Sequence, residues 1–312
     1  MKLKDLGEHN FISDIISKYL GKDVNSDVFI QGNKVYKLDG FQLSYTLPFM
    51  DYYDIGWKAV TGTISDIIFS LASPNIVMVS LGLSNDMEVN DAEKIIKGIY
   101  DASIYYHARY VGGDTNNSSS SGWIDVAGIG DLLCNEHPQI DKGDVIVVTN
   151  KIGFTSNFFI SYLSNFKIPI FHDSLVKISH PVVNTHLPRV LQRFCGAISY
   201  STDISDGLVI TLYNIIQRFS VGIKLDRIPI NDVIANMLKT YGYSIFDILK
   251  FSGEEYEGIF VVKEKNYEEF VNALSIIGYS PMEIGRVDGS NSLIYNDKKL
   301  NETGWDNFKG WF

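Results

Sequence analysis

Hydrophobic positions along the chain follow helical spacing in some segments and strand-like spacing in others, which predicts a mixed α/β fold. Helical spacing predicts helices over Phe11 to Leu20, Asp54 to Ala72, Asp91 to His107, Leu208 to Phe219 and Tyr267 to Ile277. Dense or alternating apolar runs predict strands over Val28 to Asp39, Ile76 to Leu83, Trp123 to Leu133, Asp144 to Thr149, Gly258 to Val262, Met282 to Val287 and Ser292 to Tyr295. The first of these runs is expected to be a hairpin that turns at Gln31-Gly32-Asn33.

A polar segment near the middle of the chain predicts a domain boundary. Residues Asn135 to Gly143 are polar, contain Pro138 and precede the strong strand at Asp144 to Thr149. We therefore expect one domain over residues 1–134 and a second over 135–312. A chain of 312 residues is long enough for two domains that each bury a core.

The segment YSTDISDGL, from Tyr200 to Leu208, carries the clearest candidate chemistry. Asp203, Ser205 and Asp206 form a compact set of hard oxygen ligands, which Mg²⁺ prefers and shares with substrate phosphates. The structural alternative is a capped helix whose apolar residues face a core. Both interpretations stay open at this point.

Three further segments place aspartates beside glycines or at the ends of predicted elements. Gly113 and Asp114 lie in GGDT, where a backbone without side chains could approach a phosphate; the alternative is a tight turn with an exposed acid. Asp66 lies among apolar residues of a predicted helix and therefore needs a partner, and Asp39 ends a predicted strand. No GxxxxGK[ST] pattern occurs, so ATP would be bound through metal ions and backbone groups.

Six motifs in order along the chain resemble those of the thiamine-monophosphate kinases, which belong to the aminoimidazole-ribonucleotide synthetase-like superfamily. The matching segments are Gly7-Glu8 with Phe11-Ile12, Asp54 to Pro74, YVGGDT, TDISDGL, Ser252 to Phe260 and the terminal GWDNF. The resemblance implies a two-domain fold of that superfamily, with an N-terminal ATP- and metal-binding domain that dimerises and a C-terminal α/β domain. It also implies a homodimer.

The resemblance implies transfer of the γ-phosphoryl group of ATP to thiamine monophosphate, with several Mg²⁺ ions, giving thiamine diphosphate and ADP. The catalytic positions it implies are Asp114, Asp203 and Asp206. Its other positions, carried over one by one, are the metal ligands Asp27, Asp39, Asp66, Asp114, Asp203 and Asp206, the nucleotide contacts Gly113, Asp114 and Ser205, and the thiamine contacts Glu254 and Trp305. An aromatic face suits a cationic thiazolium ring, although Trp305 could instead be a tail anchor.

Departures from the family pattern leave two alternatives open. The family's GDD is here Asn25-Ser26-Asp27, its STD is Lys37-Leu38-Asp39, Glu255 replaces an Asp and Asn307 replaces a His. One alternative is a superfamily relative that uses ATP on another acceptor, such as a ribonucleotide, a selenium donor or a carbamoylated carrier. The chain lacks the N-terminal or C-terminal cysteine that the last two would use. The other is a paralogue that has lost catalysis and binds a partner.

Composition limits the remaining classes. A formal charge of −10 and a pI near 5.1 argue against a nucleic-acid surface. The chain shows neither a signal peptide nor a run of ~20 apolar residues, which predicts a cytoplasmic protein without membrane contact. Cys134 and Cys195 lie far apart in sequence, and we expect them to be reduced, buried thiols.

Overall fold

The structure is a computed structural model that describes residues 1–21, 26–47, 49–134 and 137–312. Asn25 of the altered GDD motif and Asn135 of the predicted boundary segment lie outside the described residues. The described helices, in chain order, are α1 Leu3–Leu6, α2 Glu8–Phe11, α3 Ser17–Leu20, α4 Tyr52–Phe69, α5 Val89–Tyr105, α6 Phe154–Leu163, α7 His172–Ser179, α8 Leu187–Arg193, α9 Leu208–Phe219, α10 Asp232–Thr240, α11 Ile245–Lys250 and α12 Tyr267–Ile276.

The strands lie between these helices along the chain. In order they are β1 Phe29–Gln31, β2 Lys34–Gln42, β3 Ala72–Leu83, β4 Arg109–Asn117, β5 Trp123–Leu132, β6 Val145–Val148, β7 Ile198–Asp203, β8 Gly222–Leu225, β9 Gly258–Val262, β10 Met282–Asp288, β11 Leu293–Tyr295, β12 Lys298–Lys299, β13 Trp305–Asp306 and β14 Gly310–Trp311. The predicted hairpin is present, because β1 and β2 pair antiparallel on either side of Gly32-Asn33.

The chain divides into two compact units. The first, here called the N-terminal unit, contains the described residues within Asp27–Glu136 together with Ser179–Cys195. The second, called the C-terminal unit, contains Met1–Ser26, His137–Ile178 and Gly196–Phe312. The division of functions between residues 1–134 and 135–312 stays a prediction.

The N-terminal unit is a five-stranded sheet in the order β1-β2-β5-β3-β4 that packs against α4. Helix α4 is buried along most of its length and ends at Phe69, three residues earlier than predicted. Leu71 adopts a positive φ of 58°, and the chain then enters β3 at Ala72. The GGDT segment, considered as a turn, forms part of β4 and pairs parallel with β3.

A disulfide corrects the prediction of reduced thiols. Cys134 and Cys195 are bonded, with their Cα atoms 5.6 Å apart. The two cysteines are 61 positions apart along the chain, and this separation gave no signal of their contact, since only the folded chain brings Ser179–Cys195 into the same unit as β5. Cys195 Sγ also lies 3.5 Å from the carbonyl oxygen of Leu133.

The C-terminal unit contains a seven-stranded sheet in the order β12-β11-β8-β10-β6-β9-β7. Its neighbouring strands β6 and β9 are fully buried, as the predicted apolar runs require. Helix α9 and strand β9 have the predicted bounds. Helix α9 packs Leu208, Leu212 and Ile216 into the same hydrophobic core as residues of β6.

Among the described residues, no helix is both long enough and apolar enough to cross a membrane.

Candidate active site

The loop between β7 and α9 carries three of the predicted site residues in the C-terminal unit. Asp203 ends β7 and is buried, Asp206 is half-buried, and Ser205 is exposed. Gly207 takes a φ of 124°, which a residue with a side chain rarely adopts, and helix α9 begins directly after it. The backbone N–H of Leu208 donates to Ser252 Oγ at 3.1 Å, so the next motif along the chain caps this helix.

Backbone hydrogen bonds join the Ser252–Glu257 segment to the loop between β7 and α9. The N–H of Glu254 donates to the Ser205 carbonyl at 2.6 Å, and the N–H of Tyr256 donates to the Ile204 carbonyl at 3.0 Å. Glu254 and Tyr256 both have positive φ values, 56° and 48°, which carry a backbone strain of about 1–3 kcal/mol each. Surrounding contacts must therefore hold this segment in place.

The C-terminal hairpin brings Trp305 to the same loop. The N–H of Trp305 donates to the Asp206 carbonyl at 2.9 Å, and its half-buried ring meets Trp311 edge to face at 5.1 Å. Trp311 lies so close to Gly253 that an added Cβ there would sit 2.8 Å from the Trp311 ring. The structure therefore groups Asp203, Ser205, Asp206, Glu254 and Trp305 within one unit.

The first and last motifs of the chain also meet. The N–H of Glu8 donates to Asp306 Oδ2 at 2.8 Å, and the Asn307 side-chain amide donates to Glu8 Oε2 at 2.8 Å. Asp306 Oδ1 accepts from the N–H groups of Phe308 and Lys309. Burial opposes ionisation of Asp306, but these N–H donors outweigh it and lower its pKa. The N-terminal segment thus fixes the hairpin that carries Trp305.

Sequence reasoning missed the structural role of Glu255. Its carboxylate is fully buried and accepts from the Gly153 N–H at 2.6 Å and the Thr155 hydroxyl at 2.8 Å, at the start of α6. Burial raises the pKa of Glu255, while Lys177 and these donors act in the opposite direction. Glu255 therefore ties the strained segment that carries Glu254 to a helix N-terminus.

A second buried acid supports the same segment. Glu257 forms an ion pair with Lys177 and accepts from Thr149 Oγ1 at 2.6 Å and Asn150 Nδ2 at 2.8 Å. Burial alone would lower the pKa of Lys177, but attraction to Glu257 and Glu255 raises it. The available signal in the sequence was the alternating spacing of Glu255 and Glu257. Buried acids need partners, so this pair indicated contacts with other polar residues of the chain.

In the N-terminal unit, Gly113 and Asp114 lie on the edge strand β4. A Cβ on Gly113 would sit 1.7 Å from the Val79 carbonyl oxygen, so the glycine is required for pairing with β3. Exposed Asp114 accepts from its neighbours, the Thr115 N–H at 3.0 Å and the Asn116 amide at 2.8 Å. β4 lies three strand spacings, roughly 14 Å, from the β2 strand that carries Asp39.

Asp27, Asp39 and Asp66 lie around the ammonium group of Lys37. Lys37 Nζ is 2.6 Å from Asp66 Oδ2, and both side chains are largely buried. Burial by itself would lower the pKa of Lys37, but attraction to Asp66, then Asp39 and Asp27, raises it. Asp125 of β5 was missed by sequence reasoning; burial and then Asp39 raise the pKa of its carboxyl.

The predicted metal ligands differ in how well they fit a divalent ion. Among the residues that the structure describes, no three His, Cys, Asp or Glu side chains are already grouped as a metal site. Asp203 and Asp206 of the C-terminal unit and Asp114 of the N-terminal unit carry carboxylate oxygens, which are ligands that Mg²⁺ prefers. The Asp66 group does not fit, because Lys37 already occupies its inner face.

Comparison with known proteins shows what this arrangement resembles. Residues 27–132 match the family "AIR synthase related protein, N-terminal domain". The thiamine-monophosphate kinase of Aquifex aeolicus is 26% identical over 99% of this chain and 100% of its own length. A solved structure described as AaThiL complexed with AMPPCP and TMP, at 24% identity, superposes with a TM-score of 0.82 over 98% of this chain and 99% of that one. A chain of a solved structure described as a HypE-HypF complex superposes with a TM-score of 0.76 at 23% identity, over 94% of this chain and 99% of that one.

The chain has a mixed α/β fold similar to that of the AaThiL structure, which confirms the predicted fold class. The predicted resemblance to the thiamine-monophosphate kinases is also confirmed, since the Aquifex aeolicus relative aligns along almost the whole chain.

Proposed function

We propose that this chain is a thiamine-monophosphate kinase that transfers the γ-phosphoryl group of ATP to the phosphate of thiamine monophosphate, giving thiamine diphosphate and ADP. One observation carries the proposal. The backbone carbonyl of Asp206 accepts a hydrogen bond from the N–H of Trp305, and that of Ser205 accepts one from the N–H of Glu254. These bonds join the backbone of the loop with a carboxylate that suits phosphate chemistry to the backbones of an aromatic residue and an acid that suit a cationic acceptor, which supports the proposal. The relatives named as this kinase support the same activity.

The chemistry needs no strong general base, because the attacking phosphate oxygen is already ionised at neutral pH. What the chain must supply is alignment of two anionic groups and compensation of their charge. We assign Asp114, Asp203 and Asp206 to this catalytic role, and Gly113, Asp114 and Ser205 to the nucleotide. Glu254 and Trp305 are assigned to thiamine.

Mg²⁺ is part of the proposal, with Asp203 and Asp206 of the C-terminal unit and Asp114 of the N-terminal unit as the residues that would hold such ions. When bound, it would neutralise phosphate charge at the oxygens that leave and attack. The position of Asp203 at the end of β7 supports this role, since it puts the carboxylate next to the loop that carries Ser205 and Asp206.

We further propose a homodimer formed through the sheet of the N-terminal unit. Gly128 lies on the face that packs against Thr63 and Ile67 of α4, and it pairs with Lys37 of β2. Strand alternation therefore places Tyr36 and Leu38 on the opposite face, where both are exposed. Exposed apolar residues on one sheet face favour pairing with a second copy.

The assignment of the acids is tested by replacing them one at a time. Asp206→Asn and Asp114→Asn should lower kcat by about 10²–10³-fold while the melting temperature without ligands stays near that of the parent. Asp232→Asn is the matched control, since this acid of α10 is exposed and forms an ion pair with Lys151. Full activity of both site variants would refute the assignment.

The acceptor is tested with a panel offered at equal concentration: thiamine monophosphate, thiamine and a purine ribonucleoside monophosphate. Preference for thiamine monophosphate supports the proposal. Preference for the ribonucleotide would favour a superfamily relative with another acceptor. A folded chain that binds ATP but phosphorylates none of them would favour the paralogue without catalysis.

A further inference from the structure

Lys37 occupies the inner side of the acidic group in the N-terminal unit. Its ammonium group contacts Asp66 Oδ2 at 2.6 Å, with exposed side-chain fractions of 19% for Lys37 and 9% for Asp66. Lys37 and Asp39 are two residues apart on β2, so strand alternation puts both side chains on the face that packs against α4. Asp27 lies close enough to interact electrostatically with the same ammonium group.

A lysine in this place changes what the acids can bind. An ammonium group is a compact positive charge with three donors, and it needs no fixed coordination geometry. A divalent ion bound to Asp66 would have to displace that contact and would then face a like charge at close range. The position corresponds to the first hydroxyl residue of the family's STD motif, so this chain has replaced an uncharged residue by a cation.

We infer that the Lys37 ammonium takes the place of a divalent cation in the Asp27, Asp39 and Asp66 group. Lys37 neutralises part of the charge of these acids permanently, and the chain binds its divalent ions elsewhere. The inference rests on the proposed kinase function and specifies which acids of the chain do not bind Mg²⁺. It makes Lys37 a positioning residue, because its contact is to acids of the protein.

The strand offers a matched control. Lys34 also lies on β2 and pairs with an acid, Asp131, but both side chains of this pair are at least twice as exposed as those of the Lys37 pair, with fractions of 38% and 39%. Replacing Lys34 by serine removes the same charge from the same strand without touching the Asp66 group.

The test counts Mn²⁺ bound per chain by electron paramagnetic resonance, on the full-length protein without substrates. We expect Lys37→Ser to bind one more Mn²⁺ than the parent, and the double variant Lys37→Ser/Asp66→Asn to return to the parent number. Lys34→Ser should match the parent. An equal number in the parent and Lys37→Ser would overturn the inference.

Stability gives a second readout. Removing Lys37 leaves Asp66 without this buried partner, so Lys37→Ser should melt earlier than the parent in EDTA and regain most of the difference in millimolar Mn²⁺. A loss of stability that Mn²⁺ does not restore would count against the inference.

Asp39→Asn in the parent keeps the inference falsifiable if Lys37→Ser does not fold. Asp39 is exposed, so this change should be tolerated, and the Mn²⁺ number should stay that of the parent. A loss of one Mn²⁺ would mean that the group binds metal after all. These counts need no turnover, so they stand apart from a failure of the proposed kinase activity, which the acceptor panel measures.

Discussion

The backbone N–H of Trp305 donates a hydrogen bond to the carbonyl oxygen of Asp206 at 2.9 Å. One contact therefore joins the terminal hairpin to the loop that carries the carboxylates. The residue assigned to acceptor binding is held by the backbone of the residue assigned to phosphate chemistry.

Trp305→Ala should raise KM for thiamine monophosphate about ten-fold, because stacking on a cationic ring contributes roughly 1–2 kcal/mol. KM for ATP should hardly change, and Trp305→Phe should recover part of the loss since it keeps a ring face. Both KM values and the melting temperature are measured on the same preparations. A tail anchor predicts the opposite pattern: a lower melting temperature with an unaltered KM for thiamine monophosphate.

Glu255 should matter more for stability than its position next to Glu254 suggests. Glu255→Ala leaves the Gly153 N–H and Thr155 without their buried acceptor and is expected to lower the free energy of unfolding by about 2–4 kcal/mol. Glu255→Gln keeps that acceptor and should lose less than half as much. Urea unfolding of the three proteins measures this, and equal losses in both variants would contradict the anchoring role.

Asp306 should make stability depend on acid pH. Its pKa in the folded protein is lowered from the ordinary 3.8, so its contribution is complete above that value and is lost as the pH falls through the folded pKa. Asp306→Asn should therefore lower the melting temperature at pH 7, with a difference that shrinks below about pH 4. Asp232→Asn should show a much smaller change at pH 7. A pH-independent difference for Asp306→Asn would contradict the role of the ionised carboxylate.

The bridge between Cys134 and Cys195 should stabilise the N-terminal unit. Closing 61 residues of chain is expected to contribute about 2–4 kcal/mol, largely by restricting the unfolded chain. Reductant should lower the melting temperature of the parent to that of Cys195→Ser, which itself should not respond. Two free thiols in freshly purified, denatured protein would contradict the bridge. Disulfides are rare in a reducing cytosol, so this assay also bears on the predicted cytoplasmic location.

Local pattern was sufficient for elements whose apolar spacing is regular. Helix α9 and strand β9 have the bounds that their periodicity predicts, because each presents a continuous apolar face to one core. The end of α4 could not be predicted from the spacing of its apolar residues. Its apolar residues continue through Leu71 and Ala72 directly into β3, so hydrophobicity alone does not mark the change at Leu71.

Contacts between distant segments explain what sequence reasoning missed at the site. The strand pattern places Lys37 and Asp39 on one face of β2, but the approach of Asp66 from α4 depends on the packing of the sheet. Glu255 similarly accepts hydrogen bonds from Gly153 and Thr155, which lie about a hundred residues earlier in the chain. The sequence identified which acids need partners and could not say which partners they have.

The proposed kinase activity is tested by incubating the parent chain with Mg²⁺, thiamine monophosphate and ATP labelled in its γ-phosphate, and identifying the labelled product. We expect thiamine diphosphate labelled in its β-phosphate, formed in equal amount with ADP and abolished by Asp206→Asn. ADP formation without labelled thiamine diphosphate, from a folded and ATP-binding chain, would contradict it.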